Sequence, residues 1–259
     1  MPLAPLVARI ERSVMRKFPP AVVLALNSLV HQRFGEPELH ELDRLVRPGT
    51  LAVDVGAHFG VYSLALARLV GRQGRVLSVE PIEEDALMLE RAAKTMRLPV
   101  TVVQCALSSV EGEATLHVPL LGGAQKTALS HLGTTGVPGE VGRSVRTRRL
   151  DDLLAAVDMP VSFIKIDVEG HEQEVLAGAA QTLRAHRPNL LIEINHDAAG
   201  TSMPDVFARV CAYGYRGEFL EEGRFRRPLS AFDVQKHQVS ASGNVLSKAY
   251  VNNFIFMPE

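Results

Sequence analysis

The chain has 259 residues, 46% of them apolar and 22% charged, and a formal net charge of −1. That balance is ordinary for a globular protein and lacks the basic excess of a typical nucleic-acid binder. Two cysteines, Cys105 and Cys211, exclude a disulfide framework and a four-cysteine zinc site, which points to a reducing, cytoplasmic setting.

The length suits one α/β domain with additions, and no apolar run reaches the ~18 residues needed to cross a bilayer. Residues 3–18 place Leu3, Leu6, Val7, Ile10, Val14 and Phe18 at helical spacing, with Arg9, Arg12 and Arg16 on or near the other face. Pro19-Pro20 ends that pattern. Two readings stand: a helix packed on the domain or on a second copy in a homo-oligomer, or a basic amphipathic helix on a membrane surface. Residues 21–31 and 38–46 read as further helices, so residues 1–47 form a helical preface to a domain over 48–259.

Residues 51–60, LAVDVGAHFG, read as a buried strand, a tight glycine turn and a helix start. Such a turn leaves backbone N–H groups at a helix N-terminus and brings the backbone close to a ligand. Strands follow at 75–80 and 100–105, with a helix over 83–96 between them. This strand–helix alternation implies a parallel sheet with right-handed crossovers. A short strand at 114–118 precedes residues 119–144, which hold many glycines and little periodicity. A loop of that length suits an active-site lid. An edge strand over 145–149 and a short helix over 150–157 come next. Arg143, Arg146, Arg148 and Arg149 read as its solvated charges, or as a dock for an anionic group. Strands at 161–168 and 190–194 flank a helix over 171–186, a helix covers 203–213, and the tail reads as antiparallel strands, a hairpin included.

The ligand follows from what the turn lacks. Asp54-x-Gly56-x-x-x-Gly60 has His58 where a dinucleotide site needs its second glycine, and no Gly-Lys-Ser/Thr ending marks a phosphate loop. Glu80 ends the second strand, where a carboxylate accepts hydrogen bonds from ribose hydroxyls. A nucleoside is favoured.

That combination resembles the class I S-adenosylmethionine-dependent methyltransferases, whose fold is a Rossmann-like, mostly parallel seven-stranded sheet flanked by helices. VDVGAHFGVYSLAL at 53–66, VEP at 79–81, CALSS at 105–109, RLDDLL at 149–154, IKIDVEGHEQEVLAGA at 164–179, LLIEINH at 190–196 and the NNFIFMP ending together resemble the FkbM family of methyltransferases. The resemblance covers residues 36–257. It implies O-methylation of sugars, polyketides and other secondary metabolites. It also implies that Asp54, Gly56, Ala57, His58 and Gly60 cradle the methionine half of S-adenosylmethionine. Glu80 then holds the ribose, and Pro81, Ile82, Ala106 and Leu107 bracket the adenine. Lys165, Asp167 and Glu169 lie beside the sulfonium.

A hydroxyl acceptor must lose its proton, so a general base or a metal is needed. Asp167, Glu169, His171, Glu193 and His196 cluster near two strand ends. Lys165 and Asp167 share a strand face and also suit a plain buried ion pair. His171 begins a helix, where the cationic form is disfavoured. His131 falls in the expected lid. A divalent metal held by Asp167, Glu193 and His196 is the rival to a metal-free base. The Asp167-Val-Glu-Gly sequence stands where amine methyltransferases of bases or glutamine carry Asn/Asp-Pro-Pro-Tyr. N-methylation and a non-catalytic nucleoside-binding module remain the alternatives to a small-molecule O-methyltransferase. Nothing in the pattern suggests a nucleic-acid partner: no aromatics interleave with the basic run and tryptophan is absent.

Overall fold

All five residues of β1 (Leu51–Val55) are buried, because the strand lies inside a sheet with neighbours on both edges. The computed structural model describes residues 18–34, 36–121, 124–125, 127, 130–133, 139–196, 202–241 and 249–259. The helix expected over 3–18 lies outside these, apart from Phe18. On one side of β1 stand β2 (Arg75–Val79) and β3 (Val100–Val103), and on the other β9 (Val161–Ile166) and β10 (Asn189–Glu193), all parallel. Beyond β10 the sheet turns antiparallel. There β13 (Asn253–Pro258) inserts between β10 and β11 (Tyr215–Glu221), and β12 (Phe225–Pro228) pairs with β11 as a hairpin. The first seven of these make the expected mostly parallel sheet, and β12 extends its edge as an eighth strand.

The period-2 alternation of β1 divides the core. Val53 and Val55 face a cluster with Ile164, Ile166, Val175 and Val206, supplied in part by α6 (Glu172–Gly178) and α8 (Met203–Ala212). Ala52 faces the other way, with Leu42, Leu45, Leu66 and Val70, from α2 (Leu42–Leu45) and α3 (Val61–Val70). Asp54 shares the face of Ala52, which turns its carboxylate towards α3 and away from open solvent. Leu24 of α1 (Pro20–Phe34) packs with Ala57, Leu64 and Leu89, so the N-terminal helix shares a core with the glycine turn and with α4 (Glu83–Met96).

Four expectations change. The helix over 38–46 is a 3-10 turn, Pro37–His40, followed by α2. The break lets Leu39, Leu42 and Leu45 all bury. The helix over 171–186 is two, α6 and α7 (Ala180–His186), divided at Ala179. There Gly178 abuts another segment: a Cβ on it would lie 2.1 Å from the Ser108 carbonyl oxygen. Finally, the described part of 119–144 is not an aperiodic loop. β5 (Gly112–Leu121) runs on past 118 and pairs antiparallel with β8 (Glu140–Arg148), which starts well before 145. β4 (Ala106–Leu107) joins β8, while β6 (Ala124–Gln125) and β7 (His131–Leu132) join β5. Ile82, Ala106, Leu116, Val118 and Val145 form the small core of this second sheet. The helix over 150–157 shortens to α5 (Leu150–Leu154).

Candidate active site

Strand order reverses between β1 and β9, and open α/β sheets bind ligands at the carboxyl ends of the strands beside such a point. A cavity of about 490 Å³ lies there, within the range for small-molecule sites. Its walls bring together the ends of β1, β2, β9 and β10, the small sheet and the end of α1.

The glycine turn is built by close approach. Gly56 has φ +77°, and a Cβ on it would sit 1.8 Å from the Asp167 carbonyl oxygen. Only glycine lets the turn pass the end of β9 there. Gly60 has φ +81°, and its missing Cβ makes room for Leu89. His58 also lies in the left-handed region, at φ 45°. The turn's amides are largely consumed within the protein. Gly56 and Ala57 both donate to the Val79 carbonyl, at 2.9 and 3.1 Å, and Gly60 donates to Ala57 at 2.7 Å. Gly56 and His58 form cavity wall, whereas Asp54, Ala57 and Gly60 shape the turn from behind it. The Asp54 carboxylate accepts from the Ser63 hydroxyl at 2.5 Å, and burial pushes its pKa up to about 6.

Glu80 is aimed by backbone. Its Oε2 accepts from the His58 amide at 2.8 Å and its Oε1 from the Ile82 amide at 2.9 Å. Glu80 is part of the cavity wall, and a carboxylate oxygen accepts hydrogen bonds from ligand hydroxyls. Beside it the wall is apolar: Pro81, Ile82, Cys105, Ala106, Leu107 and Leu116. A buried carboxylate held by two amides next to an apolar slot fits the ribose and adenine of a nucleoside. Thr127 and Ser130, between β6 and β7, close the same wall. The Thr127 hydroxyl donates to Asp85 at 2.9 Å, and the His58 ring lies 3.3 Å from it. His131 lies on the second sheet instead, with its Nε2 3.1 Å from Glu140.

The opposite end is charged. Lys165 is fully buried on β9, with Nζ 3.5 Å from Asp167, 3.9 Å from Glu193 and 5.1 Å from the Tyr62 ring centroid. Burial works against its charge, but Asp167, Glu193, Glu36 and Asp54 together raise its pKa, so it stays an ammonium. Asp167, Glu169 and Glu193 each place a carboxylate oxygen within 4.8 Å of the others. Burial and the neighbouring Asp167 raise Glu193 well above the usual carboxylate range. The same two causes push Glu169 up to about 7, and its backbone is left-handed at φ 49°. His171 lies 3.0 Å from the Ser108 hydroxyl, and burial lowers its pKa, which keeps the ring neutral.

His196 does not join this group. Its Nδ1 lies 3.0 Å from the Gln238 side-chain oxygen, which also accepts its backbone amide at 2.7 Å. Glu169 takes its place in the carboxylate set. His31 and Glu36, from the end of α1 and just beyond it, complete the wall at this end, and Glu38 lies behind them with its pKa pushed by burial up to about 7. No motif marks these three: they lie over a hundred residues from Asp167 and reach it through folding alone. Of the basic run, Arg143 pairs with Glu84 at 2.8 Å and Arg146 with Glu111 at 2.7 Å, as solvated strand charges do.

Fold and site define the class of S-adenosylmethionine-dependent methyltransferases with a class I, Rossmann-like architecture. The family described as the methyltransferase FkbM domain matches residues 54–216, and the chain belongs to that family. The crystal structure of a methyltransferase FkbM from Methylobacillus flagellatus superposes with a TM-score of 0.50 at 18% identity, over 98% of this chain and 57% of that one. A ribosomal RNA large subunit methyltransferase E from Pseudomonas fluorescens is 42% identical over 50 residues, 19% of this chain and 24% of that protein. Its counterpart from Chromobacterium violaceum is 38% identical over 48 residues, 18% and 23% respectively. The chain thus spans about a quarter of the length of these curated relatives.

Proposed function

We propose that this protein methylates a hydroxyl of a small molecule, a glycan or natural-product intermediate, in the cytoplasm. S-adenosylmethionine, when bound, supplies an electrophilic methyl group. Glu80 would hold its ribose hydroxyls, and Pro81, Ile82, Ala106 and Leu107 would flank its base. The Gly56 turn would lie along the methionine part. Residues 48–259 carry this chemistry, while His31 and Glu36 from the helical preface shape the acceptor side and Thr127 and Ser130 close the nucleoside side.

The observation that carries the hydroxyl reading is Glu169. It forms cavity wall beside Asp167 with a pKa pushed up to about 7, and a general base works best when its pKa lies near the operating pH. In this reading Glu169 takes the acceptor's proton. Asp167 raises the basicity of Glu169 through its charge, and Lys165 holds Asp167 and Glu193 in place. His171, neutral and next to Ser108, orients the acceptor or relays the proton.

A cationic amine acceptor is the second reading, favoured by the excess of carboxylates around the single Lys165. Incubation with methyl-labelled donor and an acceptor panel separates the two. A methyl ether product supports the hydroxyl reading, and a methyl ester, which comes from a carboxylate acceptor, or an N-methyl product overturns it. Under the hydroxyl reading kcat also rises with pH through about 7, as Glu169 loses its proton.

A further inference from the structure

A helix packed on a domain usually turns a polar face outward, and α1 does not. Its inward residues Val23 and Leu24 are buried, yet its outward positions are Val22, Ala25, Leu26 and Leu29, at i, i+3, i+4 and i+7. Leu26 is 58% exposed and Leu29 63%, and Phe18, just before the helix, is 55% exposed. Among the described residues nothing covers this stripe. The helix has no acidic residue. The first 34 residues carry Arg9, Arg12, Arg16, Lys17 and Arg33 against Glu11 alone, in a chain whose net charge is −1.

We propose that the α1 stripe docks on an anionic lipid surface. Apolar area plus basic charge is the pair of signals that holds an amphipathic helix in a membrane interface. The 15 residues of α1 are too few to span a bilayer, which takes ~20, and no helix among the described residues is long and apolar enough to cross one. The helix therefore lies on the surface. A second copy is the weaker occupant. A second copy brings the same basic excess in its first 34 residues, whereas anionic headgroups neutralise it.

The test is flotation of the full chain with vesicles of phosphatidylcholine alone and of an equal mixture of phosphatidylcholine and phosphatidylglycerol, at low and high salt. Binding to the mixed vesicles only, weakened by salt, is expected. Leu26→Gln with Leu29→Gln should reduce it by at least about tenfold, and Arg12→Glu with Arg16→Glu should do the same. Both leucines are exposed, so the melting temperature of that variant should match the parent's and certify its fold. Failure of the parent to float with mixed vesicles overturns the proposal, as does binding that the leucine variant retains. If the parent ignores vesicles and sediments as a dimer that the leucine variant splits, the stripe is a subunit contact. If it ignores vesicles as a monomer, the stripe is not a docking surface for lipid or for a second copy.

Discussion

The two ends of the cavity handle buried carboxylates in opposite ways. At the nucleoside end a single carboxylate, Glu80, is held by two backbone amides. At the other end Asp167, Glu169, Glu193 and Glu36 share the wall around one ammonium, Lys165. Hydrogen bonds to a carboxylate stabilise its ionised form, whereas burial among like charges destabilises it. The first end is built to hold a ligand in one pose. The second pushes the Glu169 carboxyl up to about 7, which suits proton transfer near neutral pH.

That contrast can be broken most sharply at Glu169. Glu169→Gln keeps the shape and removes the proton acceptor, so kcat should fall by about 10²–10⁴, while cofactor affinity measured by calorimetry stays within about twofold. A variant with kcat near that of the parent would move the base elsewhere, to Asp167 or His171. The matching test of the other end is Glu80→Gln. It leaves one of the His58 and Ile82 amides without its carboxylate oxygen and weakens the ribose contact. Hydrogen bonds to a charged group are worth roughly 1.5–3 kcal/mol, so cofactor affinity should drop by roughly 10- to 100-fold. The pH at which kcat rises should not move. A shift in that pH would mean the two ends are coupled.

The difference also explains what the sequence made legible. β1, α3, β2 and α4 read correctly because strand and helix periods were clean and glycines punctuated them. Glu80 then followed from its place at a strand end, whereas Ala106 and Leu107 were implied by the family resemblance; all three lie in the cavity wall. Lys165, Asp167 and Glu169 came in one contiguous block, and Glu193, expected at the next strand end, joins them across the β9–β10 pairing. Glu36 and His31 carry no local pattern, since their function depends on where α1 packs. The second sheet was missed for a different reason. The first half of β8, Glu140–Arg143, alternates little in polarity and is partly exposed, so period-2 patterning fails there although the pairing with β5 is continuous. His196 was misplaced because a strand-end position does not reveal that Gln238 claims the ring.

Behind the charged end, Glu38 tests the cost of crowding carboxylates. Burial raises its pKa from 4.5 to about 7, and the charge of Glu36 adds to this. A folded-state pKa above the unfolded one means that Glu38 favours the fold below pH 4.5 and that this contribution is lost as pH rises through about 7. Glu38→Gln should therefore stabilise the protein at pH 8 by up to roughly 3 kcal/mol and have almost no effect at pH 4. Denaturant midpoints at the two pH values check this. Equal effects at both would assign the change to packing.

The smallest expected effect decides what neutralises the charged end. Asp167, Glu169 and Glu193 could together offer three hard oxygen ligands to Mg²⁺ or Mn²⁺. Lys165 argues against that use. Its ammonium lies 3.5 Å from Asp167 and 3.9 Å from Glu193, it is buried, and its neighbours hold the proton on it. A divalent ion on the same carboxylates would stand close to that fixed positive charge and be repelled by it. Lysine as the resident cation also leaves Glu169 basic, which a metal ligand would not be. EDTA should therefore change turnover by less than about twofold, and added Mg²⁺ or Mn²⁺ should do no more. Loss of activity in EDTA, restored by either ion, would transfer the role of Glu169 from proton acceptor to ligand and remove the distinction between the two ends.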